Sequence, residues 1–540
     1  MKKRQQYELY SHPQVYTLKE LLLSCSERFG EKPAFRFQRR KSEIVVSHLQ
    51  FKNDVMALGS WLWKEGHQKC HVAVLGENSY EWILSHFAVT CGGSVIVPID
   101  KELSGAEAVS LVRESDSTLL ICSETYWDVA EQIREEIPQL TCVSMKEIPR
   151  CIEKGNELIQ TGYADYQQVK ISKEDLASIV YTSGTTGKSK GVMLTHENFA
   201  TNSVATCCNV MIKGPSILLL PLHHTFGFVA GVTCVLYYGY HVYINSSLKR
   251  LMDDFQKAAP QHLSLVPLIL ETLYKRIWAA AAQQGKDKAL KLLVGVSNIL
   301  LKLKIDLRKK LFKSVLKAFG GNLETVISGG APLDEKYVKG FHALGITIIN
   351  GYGITECSPV VATNRNNALR NKTVGFPVCC NEVRIDQPDA QGNGEIMVRG
   401  SNVMIGYYRD QQSTDDALQD GWFRTGDIGR IDEDGYLYIT GRIKNLIILA
   451  NGENISAESI EQEVYTIPYV KECIVYGKEQ LIAAEVFLDE EVPNARVSIH
   501  ADIQKINQRL PRMKNIGKVI IRETEFPKTT TKKIKRNYGG

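Results

Sequence analysis

Apolar runs too continuous for half-exposed strands alternate along this chain with segments of helical spacing. That alternation is the tightest constraint on what it can fold into. VAVLGEN (Val72–Asn78) reads as a buried strand; SYEWILSHFAVTCGG then has helical spacing and stops at Gly92-Gly93; SVIVPID resumes as a strand. TLLICSE, SIVYTSG, SILLLPL, HLSLVPL, TVISGG and ITIINGYG read likewise. Uniformly apolar strands separated by helices predict an α/β fold with parallel sheets covered on both faces. The pattern changes after about Phe376, where GEIMVRG, DGWFRTGD and DEDGYLYITG predict a small β-rich subdomain. Beyond Arg442, helix SAESIEQEV, strands ECIVYGK and LIAAEVFLD, helix IHADIQKINQRL and strand KVIIRETE predict a compact α+β unit. We place a boundary near Lys444, giving a large N-terminal domain over 1–443 and a small C-terminal domain over 444–540. The basic, turn-prone tail FPKTTTKKIKRNYGG reads as a mobile end.

Composition removes several function classes. Across 540 residues, 65 Lys and Arg face 60 Asp and Glu, a net charge of +5 that implies no nucleic-acid partner. Hydrophobic residues at 44% and charged residues at 23% exclude a disordered or fibrous chain. The 13 cysteines are odd in number and form no CxxC, so neither a zinc site nor a disulfide scaffold is indicated. Reduced thiols and a basic N-terminus without an apolar run predict a cytoplasmic protein. The most apolar stretch, Ile217 to Tyr240, contains Pro221, His223 and His224 and reads as strand, loop and buried helix rather than a membrane span. Asp432-Glu433-Asp434-Gly435 lacks the Gly and Glu spacing of a calcium loop and reads as a tight turn.

The richest chemistry lies at Tyr181 to Gly191, YTSGTTGKSKG. After a strand-like run, the ten residues from Thr182 to Gly191 hold three glycines, five hydroxyl side chains and two lysines. Glycines let backbone N–H groups close on an anion, hydroxyls add donors and lysines add charge, a combination suited to a polyphosphate. A Walker loop would need Gly where Thr182 stands and a helix directly after it; Gly191-Val192-Met193-Leu194 is a poor first helical turn.

YTSGTTGKSKGVML resembles the signature loop of the adenylate-forming (AMP-binding) superfamily, with Ser189 where that family usually has Pro. Further stretches resemble its motifs in the family's order: LPLHHTFG (220–227), SGGAPL (328–333), NGYGITECSP (350–359), GEIMVRGSNVMIGYY (394–408), GWFRTGD (421–427), GRIKNLIILANGENISAESIE (441–461) and PKTTTKKIKR (527–536). The resemblance spans essentially the whole chain and is strongest to the long-chain fatty acyl-CoA synthetases.

It implies a chemistry. A carboxylate attacks the α-phosphate of ATP, pyrophosphate leaves, and the acyl-AMP then passes to the thiol of coenzyme A. Two anions must be held together, which backbone dipoles, hydroxyls, Lys and Mg²⁺ can do. By resemblance, Thr182, Ser183, Gly184, Thr185, Thr186, Gly187 and Lys190 grip the β- and γ-phosphates. Thr355 contacts the α-phosphate and Glu356 coordinates Mg²⁺, a hard ion that prefers oxygen. Tyr352 stacks on adenine, with Gly353, Gly330 and Ala331 beside the base. Asp427 accepts from the ribose hydroxyls, Arg442 contacts ribose and phosphate, and His224, ahead of His223, orients the carboxylate. Lys533 is the catalytic lysine that bridges carboxylate and α-phosphate, with Lys532 its fallback because Lys532 stands where the family has Gly. Lys444 occupies the hinge about which a mobile C-terminal lid domain would turn between the two half-reactions.

The acid is read from two stretches. GFVAGVTCVLYYGYHVYI suits an apolar channel for a fatty tail. Between Lys286 and Lys317, ten Lys and Arg face only Asp287 and Asp306, with apolar residues at near-helical spacing. The segment reads either as a solvated helical insertion or as amphipathic helices resting peripherally on anionic lipid. The expected activity is therefore AMP-forming ligation of a long-chain fatty acid to coenzyme A. An acyl carrier protein as acceptor, another carboxylic acid as substrate, or a nucleotide-binding lipid sensor without turnover are the alternatives.

Overall fold

The computed structural model describes residues 7–40, 42–182, 189–245, 247–448, 454–478, 481–489, 491–528, 534 and 536. Two compact units emerge. The larger comprises the described residues up to 382 together with 399–421, and the smaller comprises 383–398 and the described residues from 422 onward.

The larger unit carries two mixed sheets. In one, nine strands run in the order Phe376–Pro377, Val360–Thr363, Thr347–Gly353, Thr325–Ser328, His262–Leu265, Ser216–Leu218, Val242–Ile244, Pro33–Arg39, Ser42–Ser47. In the other, seven run in the order Gly406–Tyr407, Lys190–Thr195, Leu176–Thr182, Val95–Ile99, His71–Leu75, Ser117–Cys122, Thr141–Ser144. Pairing is parallel in the interior and turns antiparallel only toward the edges, as with Thr347–Gly353 against Val360–Thr363 and Leu176–Thr182 against Lys190–Thr195. Val95–Ile99 and His262–Leu265 are buried throughout and His71–Leu75 at all but its first residue, as the uniformly apolar runs predicted. Fold class and parallel sheets thus agree with the reading from sequence.

Local signals set the helices that matter for the site. Tyr80–Thr90 begins where the Ser79 hydroxyl accepts from the Trp82 N–H and stops before Gly93, whose φ of 73° suits glycine. His196–Asn209 opens with a reciprocal capping box between Thr195 and Asn198. Every residue of this helix but Glu197 is buried, and several of its polar side chains bond across the interior. The Asn198 amide donates to the carbonyls of Ser401 and Val403, and the Asn202 amide to that of Val360.

Six histidines of the larger unit are withdrawn from water, five of them buried and His241 partly so. Burial, the largest cause in each, pushes the imidazole pKa from 6.5 down to about 4 in His48, His196, His223, His241 and His262, and to about 3 in His86. An unfolded chain takes up these protons from pH 6.5 downward, whereas the native chain does so only near its depressed values. Stability is therefore fully present above 6.5 and lost as pH falls, by roughly 1.4 kcal/mol per pH unit for each such histidine. Acid unfolding followed by circular dichroism should begin between pH 6 and 4, the window set by these values. A plateau of undiminished stability down to pH 4 would contradict it.

In the smaller unit, Trp422–Ile431 pairs antiparallel with Leu437–Arg442, and Gly394 to Val398 pairs with its other edge. The connecting turn is closed by Asp432, whose carboxylate accepts from the N–H groups of Asp434 and Tyr436, with Gly435 at φ 91°. This is the tight turn expected there. Helices Ala457–Val464 and Ala495–Asn507 and strands Val470–Lys478, Leu481–Leu488 and Ile516–Arg522 share one apolar core built on Ile460, Val486 and Ile499. Ile534 bridges Lys528, and the Arg536 guanidinium meets the Glu458 and Glu461 carboxylates, so the basic tail has anchoring contacts at its described positions. All thirteen cysteines are free thiols. No described helix is long and apolar enough to cross a membrane.

Candidate active site

The hydroxyl-rich stretch is flanked by two strands. Leu176–Thr182 and Lys190–Thr195 pair antiparallel, with Thr182 opposite Lys190. No helix opens after the loop, which removes the geometry a Walker loop requires. Ser183, Gly184, Thr185, Thr186 and Gly187 lie outside the described residues.

The strand Gly406–Tyr407 lies along Lys190–Thr195, with Tyr407 opposite Val192. This register places the Tyr407 ring under the Lys190 ammonium, 4.9 Å from Nζ to centroid, while Nζ donates to Ser413 Oγ at 2.7 Å. The Tyr407 hydroxyl donates to Glu356 Oε1 at 3.0 Å. Burial first, and the Glu356 carboxylate second, push the phenol pKa up, so it stays protonated and acts as donor. Lys190 and Glu356, assigned to the phosphates and the metal, are thus tied through one aromatic ring. Sequence reasoning missed Tyr407; the GYY at the end of the 394–408 motif was its only signal.

Glu356 sits in the short 3₁₀ turn Thr355–Cys357, which follows directly on the strand Thr347–Gly353. Its carbonyl accepts from the Met404 N–H at 2.8 Å. The turn also holds Thr355, whose carbonyl accepts from the Ser358 N–H at 3.1 Å. At Gly353 an added Cβ would overlap the Pro359 carbonyl oxygen, so that position requires glycine. Among the described residues no cluster of three or more His, Cys, Asp or Glu could hold a metal. The donor set fits Mg²⁺ only in its usual role with nucleotides, anchored by one carboxylate and otherwise by phosphate oxygens and water.

A cavity lies beside this turn. One end is formed by Ser328, Gly329, Gly330, Gly351, Tyr352 and Gly353, which places Gly330, Tyr352 and Gly353 together; Ala331 is exposed. The walls are apolar and come from the buried helix, through Thr206 and Cys207, and from the segment Phe226, Ala230, Cys234, Tyr238. That segment winds as Thr225–Phe228, a π turn at Val229–Thr233 and Cys234–Tyr237. The stretch expected to line an apolar channel therefore contributes to one.

The histidines precede this helix. His224 is its N-cap residue, with its N–H donating to the Pro221 carbonyl at 3.3 Å. The approach is close enough that a Cβ at Gly227 would overlap the Pro221 oxygen. His223 is buried, and its Nε2 lies 3.4 Å from Asp100 Oδ1 without hydrogen-bond geometry. Its depressed pKa leaves the ring neutral at pH 7, so the pair is not ionic. The cavity lining begins at Phe226, two residues beyond His224.

Asp427 and Arg442 belong to the smaller unit. They face each other across the strand pair, and the Arg442 Nε donates to Asp427 Oδ1 at 2.7 Å. Asp427 is 3% exposed, so the guanidinium both neutralises a buried carboxylate and fixes its orientation. Lys444 lies in the 3₁₀ turn Ile443–Asn445 that follows. Lys532 and Lys533 lie outside the described residues.

A glycine-walled apolar cavity beside a turn that carries a carboxylate suits joining an apolar acid to a phosphorylated reagent. Comparison with known proteins points the same way. The sequence model of the AMP-binding enzyme family matches residues 24–408, and that of the AMP-binding enzyme C-terminal domain matches 444–538. The chain is 30% identical over 518 residues to the long-chain-fatty-acid–CoA ligase FadD15 of Mycobacterium bovis, covering 86% of this chain and 85% of that one. It is 26% identical over 506 residues to the long-chain-fatty-acid–CoA ligase 5 of Rattus norvegicus, covering 86% and 74%. Its fold is similar to that of ATP-bound MatB from Rhodopseudomonas palustris, with TM-score 0.77, 23% identity and coverage of 96% and 97%. It is also similar to o-succinylbenzoate coenzyme A synthetase from Bacillus subtilis in complex with ATP and magnesium ion, with TM-score 0.75, 21% identity and coverage of 96% and 98%. With one family model spanning 24–408 and the fold to match, the chain belongs to the AMP-binding enzymes.

Proposed function

We propose that this protein is an ATP-dependent, AMP-forming ligase that joins a long-chain fatty acid to coenzyme A. The observation that carries the acyl class is the apolar cavity lined in part by Gly351-Tyr352-Gly353, directly before Thr355 and Glu356. A hydrocarbon tail gains from burial there, and its carboxylate would emerge beside the turn. The long-chain relatives at 26–30% identity support the same class.

In the first half-reaction a carboxylate oxygen attacks the α-phosphorus of ATP; a P–O bond forms, the bond to the β-phosphate bridge breaks, and pyrophosphate leaves. In the second, the coenzyme A sulfur attacks the acyl carbon; a C–S bond forms, the C–O bond to AMP breaks, and the thiol proton passes to solvent. Thr182 to Gly187 and Lys190 hold the outer phosphates, and Thr355 holds the α-phosphate. Glu356 anchors Mg²⁺, which supplies charge neutralisation on the triphosphate. Gly330, Ala331 and Tyr352 receive the adenine. Asp427, set by Arg442, accepts from the ribose, and His224 orients the carboxylate. Lys533 stabilises the charge that develops between carboxylate and phosphate. The C-terminal domain from Lys444 onward is the lid that delivers Lys533 and then withdraws it.

The test is ATP–pyrophosphate exchange across C2 to C18 acids and benzoate, followed by thioester formation with coenzyme A or with an acyl carrier protein. Palmitate-dependent exchange with coenzyme A as acceptor is expected. Exchange with no acid removes the adenylation; a preference for benzoate or for carrier protein removes the acyl class or the acceptor. Lys533→Ala should slow acyl-AMP formation while sparing thioester formation from supplied acyl-AMP; equal loss in both steps contradicts a withdrawn lysine.

A further inference from the structure

The helix Asp287–Lys302 is apolar on two faces, and only one is used by the protein. Leu290, Val294 and Ser297 point inward: Leu290 and Val294 pack with Phe312 and Leu344, and the Ser297 hydroxyl donates to the Ala343 carbonyl at 3.3 Å. On the opposite face Leu292, Val296, Ile299 and Leu303 recur at the spacing of a single helical stripe. They are 70%, 40%, 61% and 65% exposed, and Ile305 and Leu307 continue the exposed apolar surface. Isolated exposed leucines need no explanation, but a contiguous row marks a surface meant to be covered.

The charges around the row decide what covers it. Lys288, Lys291, Lys302 and Lys304 are exposed beside it, with no carboxylate partner among the described residues. From 286 to 317 ten basic residues face two acids, a net +8, against +5 for the whole chain. The remainder of the protein is thus slightly acidic, and this segment holds all of its positive excess. A second copy meeting this face across a twofold would set like lysines against one another. An anionic phospholipid surface accepts both elements at once: the apolar row enters the acyl boundary while the lysines meet the phosphates.

We infer that the exposed face of Asp287–Lys302 seats the protein, in the membrane plane, on an anionic phospholipid bilayer. The helix lies on the bilayer and does not span it, consistent with the absence of a membrane-crossing helix among the described residues. This docking stands independently of which acid is activated, because it is read without turnover.

The full-length protein is sedimented with vesicles of phosphatidylcholine alone or of equal parts phosphatidylcholine and phosphatidylglycerol, free of fatty acid. Binding to the anionic vesicles should be at least about tenfold tighter and should fall as salt rises. Ile299→Asp should lower it by about tenfold or more with thermal unfolding unchanged, since Ile299 has no buried role. Lys288→Glu with Lys291→Glu should lower only the anionic binding, and this variant carries the test if Ile299→Asp fails to fold. Absence of anionic binding at low salt, or equal binding by these variants, overturns the proposal. So does a dimer that Ile299→Asp dissociates while vesicle binding persists, which would make the face a self-contact.

Discussion

Glu356→Ala should slow fatty-acid-dependent ATP–pyrophosphate exchange by about 10²- to 10³-fold, the scale of losing one pre-set electrostatic contact. The reasoning rests on how few ligands the site offers. With no cluster of three or more acidic, His or Cys groups among the described residues, the proposed function leaves the ion to be anchored by Glu356 alone, in the turn Thr355–Cys357. Its position is held twice, by the Met404 N–H on its carbonyl and by the Tyr407 hydroxyl on its side chain. The loss should show as a higher Mg²⁺ requirement and a raised KM for Mg-ATP, while thioester formation from supplied acyl-AMP persists. Glu356→Gln keeps an acceptor for Tyr407 but removes the charge, so it separates placement from metal anchoring. An unchanged Mg²⁺ dependence in either variant would remove Glu356 from that role.

Ala230→Phe should reverse the acid preference. Ala230 is 4% exposed and lines the cavity from within the π turn, so a benzyl group there projects into the space of the tail. Each methylene denied its apolar surroundings costs about 0.8 kcal/mol, and displacing three or four lowers palmitate use about 10²-fold relative to a short acid. Overpacking costs about 1–3 kcal/mol of stability, which thermal unfolding reports separately. The decisive quantity is the ratio of kcat/KM for palmitate to that for butyrate. If it is unchanged, the cavity does not hold the tail.

The parts of this architecture that were legible in the chain are those with one-dimensional signatures. Buried parallel strands announce themselves as unbroken apolar runs, and His71–Leu75 and Val95–Ile99 lie where such runs predicted them. That no helix follows the hydroxyl-rich stretch was legible because Gly191-Val192-Met193-Leu194 is a poor first helical turn, and a strand stands there. What sequence could not reveal depends on residues distant along the chain. Tyr407 meets Glu356 across 51 positions, and Lys190 meets Ser413 across 223, through strand pairing that no local pattern records. The Asp427–Arg442 contact follows from strand register, which turn and bulge geometry set. The basic segment was read either as a solvated insertion or as amphipathic helices, and only packing shows that its helix has two apolar faces and that one remains uncovered.

The wide turn at Val229–Thr233 has its own consequence. Phe226, Ala230, Cys234 and Tyr238 look into the same space at steps of four residues. In a regular helix each such step overshoots one revolution by about 40°, so the fourth residue would have swung about 120° away from the first. A slower winding at mid-length absorbs part of that excess and keeps the row aligned, with the Thr233 hydroxyl steadying the loosened backbone by donating to the Val229 carbonyl at 3.1 Å. The alignment of this cavity wall is therefore a matter of pitch as much as of side-chain choice. Exchanging one small apolar residue for another leaves it straight, whereas excising a single residue would twist its inner half out of line.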